Sequence, residues 1–342
     1  MSERSCDLRS DTVTQPTAAM RRSVLDAELG DDAVSVDPTV ERLQDLAATL
    51  LGKEAALFVT SGTMANLLAV ATHCQPGDEV ILGEGCHIFN NEGGGSARVA
   101  AAQLRPLPDP GGRLDPEQIR QAIRPPDIHK PVSRLVCTEN THNGAGGVVV
   151  PLEHLQAVGA VAREAGLLVH LDGARIFNAA VASGTPASQF AATADSVAFC
   201  LSKGLCCPAG ALLCGTRAFV TRARRLRKVL GGGMRQVGFL AAPGLVALET
   251  MIDRLAEDHR RARRLAEVVA ALPGARIDLA AVQTNIVYFA HARLPAREVV
   301  QRLADAGVEA LAFGPRVRLV THHDIGDEEL ERACLALQRV LG

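Results

Sequence analysis

The chain has 342 residues, with 47% hydrophobic and 22% charged side chains, a composition that is typical of globular proteins and excludes a disordered or fibrous chain. Its 36 basic and 38 acidic residues leave a net charge of −2, so no overall field attracts nucleic acid or an anionic membrane. Since the chain also has one tyrosine, no tryptophan and no apolar run near the roughly 20 residues of a membrane span, we expect neither kind of partner.

In the middle of the chain, short apolar runs typical of strands alternate with amphipathic segments typical of helices. The predicted strands cover residues 56–60, 79–82, 134–138, 167–171, 196–201 and 211–214. The predicted helices cover residues 63–72, 115–123, 152–165 and 216–230. Apolar residues run almost unbroken within the strands, as they do when helices cover both faces of a parallel sheet. This pattern predicts an α/β fold with a doubly wound, mostly parallel sheet.

The last third of the chain shows a different order of elements. A long helix is predicted over residues 244–272, because Leu272-Pro273-Gly274 is a strong stop signal. It is followed by a predicted strand, helix, strand and helix over residues 285–290, 295–306, 316–321 and 327–341. We therefore expect a large domain over residues 1–249 and a small α+β domain over residues 250–342, with the long helix as the bridge.

The nine cysteines form an odd set without a CxxC pair, and several lie within apolar runs. This pattern favours buried, reduced thiols over disulfides or a zinc site, so we expect no metal. Residues 1–14 are polar and acidic, unlike a secretory signal. We expect a cytoplasmic protein.

Three segments follow predicted strands and carry chemistry. Lys203 follows the strand over residues 196–201, Asp172 follows the strand over residues 167–171, and the small-residue turn over residues 60–66 leads into a helix. Each alone has an ordinary explanation as a solvated lysine, a helix cap or an N-terminal turn. Together, an amine, a carboxylate and a phosphate seat at the carboxyl edge of one sheet are what pyridoxal phosphate requires. Their order along the chain is that of the aspartate-aminotransferase-like architecture, fold type I.

Longer blocks of sequence make the relationship closer. The chain resembles the L-threonine aldolases from about residue 6 to residue 340, in blocks over residues 7–14, 30–32, 37–39, 139–143, 170–178, 200–205, 231–236 and 318–322. The resemblance implies pyridoxal 5′-phosphate as cofactor. It also implies cleavage of L-threonine, L-allo-threonine and other β-hydroxy-α-amino acids to glycine and an aldehyde.

The resemblance also implies residue roles. Lys203 corresponds to the lysine that binds the cofactor covalently, Asp172 to the partner of its pyridine nitrogen, and His87 to the histidine that stacks on its ring. Gly62 and Thr63 correspond to the phosphate-binding residues, and Ser10, Arg175 and Arg318 to the residues that bind the substrate carboxylate. His129 corresponds to a second active-site histidine. Lys228 and Arg235 correspond to basic residues that reach the cofactor from a neighbouring subunit. Arg175 is also a candidate donor to the cofactor's ring oxygen.

Several alternatives stay open at this point. His87, His129 or a water molecule could take the proton of the substrate hydroxyl. A β-eliminating lyase or an aminotransferase of the same fold would share Lys203 and Asp172, and a non-catalytic cofactor-binding protein would share the site without turnover. The resemblance further implies a homo-oligomer, a tetramer built from dimers with shared active sites.

Overall fold

A computed structural model describes residues 6–342 of the chain. The strands are β1 (Cys6–Asp7), β2 (Ala55–Val59), β3 (Glu79–Gly83), β4 (Gln103–Leu107), β5 (Ser133–Glu139), β6 (Leu168–Asp172), β7 (Ser196–Cys200), β8 (Ala211–Gly215), β9 (Ala275–Arg276), β10 (Ile286–His291), β11 (Val308–Glu309), β12 (Leu311–Phe313) and β13 (Arg316–Val320). The α-helices are α1 (Ala18–Leu25), α2 (Pro38–Leu51), α3 (Gly62–His73), α4 (His87–Asn90), α5 (Gly95–Arg98), α6 (Pro116–Ala122), α7 (Leu152–Glu164), α8 (Ile176–Ser183), α9 (Ala187–Ala191), α10 (Arg217–Val229), α11 (Gly238–Thr250), α12 (Leu255–Ala270), α13 (Ala296–Asp305) and α14 (Asp327–Leu341).

The main sheet has seven strands in the order β2-β8-β7-β6-β5-β3-β4. Strand β8 is antiparallel to both its neighbours, and the other pairs are parallel. This confirms the predicted α/β fold with a mostly parallel sheet. The six predicted strands correspond to β2, β3, β5, β6, β7 and β8. The edge strand β4 was not predicted, because its sequence Gln-Leu-Arg-Pro-Leu lacks an apolar run. It also contains a proline, which only an edge strand tolerates.

Helices cover both faces of this sheet. Along β2, Phe58 packs into a core shared with α2, α7 and α11, whereas its neighbours Leu57 and Val59 pack with α3 and α10 on the other face. Successive side chains of a strand point to opposite faces, so an unbroken apolar run is needed wherever both faces are buried. The predicted helices of this region correspond to α3, α6, α7 and α10.

The C-terminal part has its own core. A sheet in the order β12-β13-β10-β9 packs with α12, α13 and α14. The N-terminal segment joins this core, since β1 pairs with β11 and Leu8 is fully buried there. The division into domains at residue 250 stays a prediction.

The single helix predicted over residues 244–272 is wrong. The structure has two helices, α11 and α12, separated by residues 251–254. Met251 and Arg254 keep nearly helical backbone angles at the break, and Met251 and Leu255 are both buried. The hydrophobic pattern therefore continues through a break that neither glycine nor proline marks.

All nine cysteines are buried and unpaired, as the sequence predicted. Among the described helices, none has the length and apolar character to cross a membrane.

Candidate functional site

The carboxyl ends of four strands meet at one edge of the main sheet. Glu139 and Asp172 are the last residues of β5 and β6, and Lys203 follows β7. Strand β2 is antiparallel to β8, which is antiparallel to β7, so β2 also ends at this edge and delivers the start of α3 there. The structure thus brings together the lysine, the carboxylate and the turn over residues 60–66 that the sequence singled out.

Asp172 is buried and held from two directions. Its Oδ1 accepts a hydrogen bond from the amide of Ala174 at 3.0 Å, and its Oδ2 accepts one from Nδ2 of Asn66 at 2.8 Å. The same Asn66 amide donates to Oε1 of Glu92 at 2.7 Å. Because Asn66 stands between two carboxylates, it separates their charges and fixes the orientation of both.

His87 and Glu92 form a pair beside Asp172. Nδ1 of His87 lies 2.9 Å from Oε1 of Glu92, whose side chain is only 2% exposed. The hydrogen bond to Glu92 raises the pKa of His87, and burial raises the pKa of Glu92. The Nδ1 contact fixes the ring and leaves Nε2 available for chemistry.

Glu139 links this group to the arginines. One carboxylate oxygen accepts from the backbone amide of His87 at 2.6 Å, and the other accepts from the backbone amide of Asn143 at 2.8 Å. Burial raises the pKa of Glu139. The carbonyl of the Asn143 side chain accepts from Arg318 at 3.1 Å and from Arg175 at 3.4 Å. A single buried carboxylate therefore sets the positions of elements on both sides of the site.

Arg175 forms an ion pair with Asp11. Its Nε and Nη2 donate to the two oxygens of Asp11 at 2.7 and 2.6 Å, and both side chains are buried. Although burial opposes ionisation, the positive charge of Arg175 holds the pKa of Asp11 well below its usual range. A bidentate pair of this kind neutralises both charges and leaves Arg175 few free donors.

Arg318 stands in a different electrostatic situation. Of the three arginines that are buried within residues 6–342, Arg175 pairs with Asp11 and Arg227 pairs with Asp32. Arg318 has the amide oxygen of Asn143 as its side-chain partner and a buried Nε without one. Burial lowers the pKa of Arg318, and the charge of Arg175 lowers it further. Arg318 is thus a buried cation with no carboxylate partner in the described part of the chain.

The N-terminal segment reaches Lys203. The hydroxyl of Thr14 donates to the backbone carbonyl of Lys203 at 3.0 Å, and the charge of Lys203 contributes to the lowered pKa of Asp11. Ser10 caps the short 3₁₀ helix Asp11–Val13, with its hydroxyl accepting from Thr12 at 3.3 Å. The segment that contains Ser10 and Asp11 therefore connects Lys203 with Arg175.

The start of α3 has the backbone geometry of an anion-binding site. Ser61 caps the helix by accepting from the amide of Met64, and the amides of Gly62 and Thr63 stand at the first turn, where helices leave donors unpaired. A Cβ at Gly62 would lie 2.6 Å from Sγ of Cys200, so only glycine lets the helix start approach the end of β7 so closely. The turn over residues 231–233 also abuts this helix start, since a Cβ at Gly232 would lie 2.8 Å from the Met64 side chain.

The structure does not bring every predicted residue into this group. His129 is exposed on the loop before β5, at the amino edge of the sheet, with its amide bonded to Asp127 at 2.9 Å. Lys228 is exposed at the end of α10, and Arg235 is exposed and pairs with Asp31 at 3.3 Å. Within one chain, none of these three contacts Asp172 or Arg318.

Several polar residues of the site were not predicted to have a role: Asp11, Asn66, Glu92, Glu139, Asn143 and His170. Most of them lie within or beside sequence blocks that were noted for other residues, such as Asp11 in the block over residues 7–14 and Asn66 at the end of the turn over residues 60–66. A polar residue that interrupts an otherwise apolar helix or strand is the signal that would have identified Asn66 and His170.

These features fit pyridoxal phosphate. A carboxylate for the ring nitrogen, a lysine after the adjacent strand and a glycine-lined helix start for the phosphate meet at one edge. The atoms of His87, Glu92 and Asp172 that could ligate a metal lie within 4.8 Å of one another. Nδ1 of His87 and the Nδ2 group of Asn66 already bond to these carboxylates, which makes the set a hydrogen-bonded network as it stands.

Comparisons with known proteins agree with this geometry. The family model of the beta-eliminating lyases matches residues 7–292. A probable low-specificity L-threonine aldolase 2 of Arabidopsis thaliana is 44% identical over 345 residues, covering 98% of this chain and 97% of its own. A threonine aldolase structure from Leishmania major superposes with a TM-score of 0.83 at 21% identity, covering 98% of this chain and 99% of its own. A double mutant of the Thermus thermophilus aspartate aminotransferase gives a TM-score of 0.76 at 17% identity, covering 99% and 92%. The predicted fold type I architecture is confirmed.

Proposed function

The chain belongs to the beta-eliminating lyase family, and from this premise we propose that it is a pyridoxal-phosphate-dependent aldehyde-lyase of the threonine aldolase type. Its substrates are L-threonine, L-allo-threonine and other β-hydroxy-α-amino acids, and its products are glycine and an aldehyde. The observation that carries the proposal is Arg318, a buried cation with no carboxylate partner among the described residues, which Asn143 links to Glu139 at the same sheet edge as Asp172. The full-length relatives favour aldol cleavage over the other reactions of this fold.

We assign the cofactor contacts to residues at the sheet edge. Lys203 would bind the cofactor covalently, Asp172 would face its ring nitrogen, and Gly62 and Thr63 would hold its phosphate. When bound, the cofactor supplies an electron sink for the charge that develops on Cα. The buried position of Asp172 keeps water from competing for that contact.

The substrate carboxylate is assigned to Arg318, with Ser10 and Arg175 at the border of the same subsite. Because Arg175 already binds Asp11, its role is to position the neighbouring Asn143 and to fix the wall of the subsite. Arg318 would supply the positive charge that binds the substrate carboxylate. Holding the carboxylate fixes which bond of Cα stands perpendicular to the cofactor plane, and in an aldol cleavage this must be the Cα–Cβ bond.

Cleavage of the Cα–Cβ bond requires that the proton of the β-hydroxyl leave as the carbonyl of the aldehyde forms. We assign this transfer to His87, because Glu92 fixes its Nδ1 and leaves Nε2 free. His129 could act only from a neighbouring subunit or after a large loop movement. Water bound to His87 is the remaining alternative.

The decisive experiment is product analysis. Purified protein is incubated with L-threonine and with L-allo-threonine, and glycine, acetaldehyde, ammonia and keto acid are quantified. Equal amounts of glycine and acetaldehyde support the proposal, with Lys203→Ala as the inactive control. Ammonia together with a keto acid would instead identify a β-eliminating lyase, and a keto acid without ammonia would identify an aminotransferase. No turnover with bound cofactor would identify a non-catalytic binding protein.

We also propose a cytoplasmic homo-oligomer, a tetramer built from dimers, in which Lys228 and Arg235 serve the cofactor site of a neighbouring subunit. Their exposure in a single chain, next to the turn that abuts the start of α3, supports this assignment. Inactive Lys203→Ala protein mixed with inactive Arg235→Ala protein should regain activity on subunit exchange, because one of the two sites in a mixed dimer carries neither defect. If mass spectrometry confirms subunit exchange but no activity is recovered, the result would contradict active sites that are shared between subunits.

We keep the domain division at residue 250 as a proposal, with residues 6–8 packed on the C-terminal domain. Limited proteolysis near residues 251–254 should release two resistant fragments if the division is correct. If the protease cuts first at another position, the domain boundary would lie at that position instead.

A further inference from the structure

A row of buried polar side chains leads from Asp172 back into the main sheet. Nδ2 of Asn66 bonds Asp172 at 2.8 Å, and Oδ1 of Asn66 lies 3.0 Å from Nε2 of His170. Nδ1 of His170 lies 2.9 Å from Oγ of Ser196, which lies 2.7 Å from Nε2 of His73. Asn66, His170 and Ser196 are all at most 2% exposed. Nothing in the proposed reaction uses these residues directly.

The chemistry of the groups fixes the direction of every hydrogen bond in the row. Carboxylates accept only, so the Asn66 amide group must donate to Asp172 and Glu92, and its oxygen must accept from Nε2 of His170. Burial lowers the pKa of His170 to about 4 and that of His73 to about 3, so both rings are neutral at pH 7. A neutral His170 that donates from Nε2 accepts at Nδ1.

The remaining two bonds follow from that tautomer. The Ser196 hydroxyl must donate to Nδ1 of His170, so its oxygen accepts from Nε2 of His73. The four bonds therefore point the same way, from His73 to Asp172. Aligned hydrogen bonds polarise one another, and here the polarisation places positive density on the last donor, the one that faces the Asp172 carboxylate.

We propose that this row, His73–Ser196–His170–Asn66, is a positioning relay that orients the Asp172 carboxylate and stabilises its negative charge for the cofactor's ring nitrogen. The inference rests on the proposed cofactor. It makes His170 and Ser196 positioning residues, although neither touches the cofactor site. The row ends at the Asn66 amide group, which donates to Glu92 as well as to Asp172, the carboxylate assigned to the ring.

Ser196→Ala tests the relay with the smallest change, because it removes one hydroxyl and lets His170 adopt the other tautomer. Ser133 offers a matched control: it is also buried and the first residue of a parallel strand, but it bonds Glu79 and the amide of Arg124, neither of which belongs to the row. The full-length protein is freed of cofactor, and the dissociation constant for pyridoxal phosphate is measured for wild type, Ser196→Ala and Ser133→Ala.

We expect about three- to tenfold weaker cofactor binding for Ser196→Ala, the effect of one buried hydrogen bond, and an unchanged constant for Ser133→Ala. In an Asp172→Asn background, Ser196→Ala should change the constant by less than about twofold, because the charge that the relay serves is gone. A purely structural serine would weaken binding equally in both backgrounds. If the alanine variant does not fold, Ser196→Thr and Ser196→Val make the same comparison at equal volume.

The possible failures are distinguishable. Wild-type protein that binds no pyridoxal phosphate overturns the proposed function and the relay with it. Wild-type binding with equal constants for Ser196→Ala and Ser133→Ala, or with equal losses from Ser196→Ala in the wild-type and Asp172→Asn backgrounds, overturns the relay alone.

Discussion

Replacing Arg318 by methionine should improve the stability of the protein while it weakens substrate binding. Methionine keeps much of the length of the side chain and removes a charge that is buried without a carboxylate partner among the described residues. Burial and the neighbouring charge of Arg175 both disfavour that charge, as the lowered pKa of Arg318 indicates. The residue is thus expected to be retained for binding rather than for folding.

The magnitude follows from the environment of the side chain. Replacing buried charges by apolar groups of similar volume is neutral or stabilising by about 1–4 kcal/mol, and we expect a gain near 1–2 kcal/mol because the bond to Asn143 is also lost. A hydrogen bond to a charged group contributes about 1.5–3 kcal/mol, so KM for L-threonine should rise by about 10- to 150-fold.

The assay is unfolding of the cofactor-bound protein in urea, with and without glycine. Wild type should be stabilised by about 2.7 kcal/mol when glycine is present at 100 times its Kd. If glycine binding weakens by the same factor as KM, Arg318→Met should gain only about 0.3–1.4 kcal/mol at the same glycine concentration. Arg227→Met is the matched control, since Arg227 is equally buried but pairs with Asp32. That variant should lose up to about 3–5 kcal/mol, because the buried Asp32 carboxylate then keeps only Arg224, a side chain that is 44% exposed, as its cationic partner. An Arg318→Met protein that is destabilised like Arg227→Met, or that keeps its KM, would refute the reasoning.

Three further changes test the rest of the site. Lys203→Ala should keep the fold and lose turnover by orders of magnitude, and borohydride should tag only the wild-type peptide that contains Lys203; a tag on another lysine would contradict the assignment. Asp172→Asn should lower kcat much more than it changes KM, as steady-state kinetics would show, because it removes the charge opposite the ring nitrogen. Glu92→Gln should lower the pKa of His87 in an NMR titration, since the hydrogen bond to Glu92 raises it. Because the pKa of His87 is higher in the folded than in the unfolded protein, its protonation stabilises the fold below about pH 6.5. This contribution is lost as the pH rises through the pKa of the folded protein. The loss of stability that Glu92→Gln causes through His87 should therefore be larger at pH 6 than at pH 9.

The sequence predicted the parts of the site that local pattern determines. An apolar run that ends in Asp172 or precedes Lys203 identifies a strand end without knowledge of the sheet order, because all parallel strands place that end at the same edge. The same reasoning identified the start of α3. The boundaries of six strands of the main sheet and of α14 were therefore close to those observed.

Contacts between distant residues were beyond that reasoning. The pair of Asp11 and Arg175 joins residues 164 positions apart, and no local pattern distinguishes a paired arginine from a free one. The sequence accordingly assigned Arg175 and Arg318 the same role, whereas their partners differ. His170 interrupts an apolar strand, but its partners Ser196 and Asn66 lie 26 and 104 positions away in the chain, so no local pattern identifies them.

The charges of the described site also limit what it can bind. Asp11 neutralises Arg175, and the proposed function assigns Asp172 to the ring nitrogen, so Arg318 remains as a positive charge with no carboxylate partner in the described part of the chain. An amine or an alcohol without a carboxylate would fill the space but leave Arg318 buried and unpaired, at a cost of several kcal/mol that an amino acid does not incur. A preference for α-amino acids over simple amines therefore follows from the arrangement of two arginines around one aspartate. It should persist whatever side chain the substrate carries, because the contact proposed for Arg318 is with the carboxylate that all α-amino acids share.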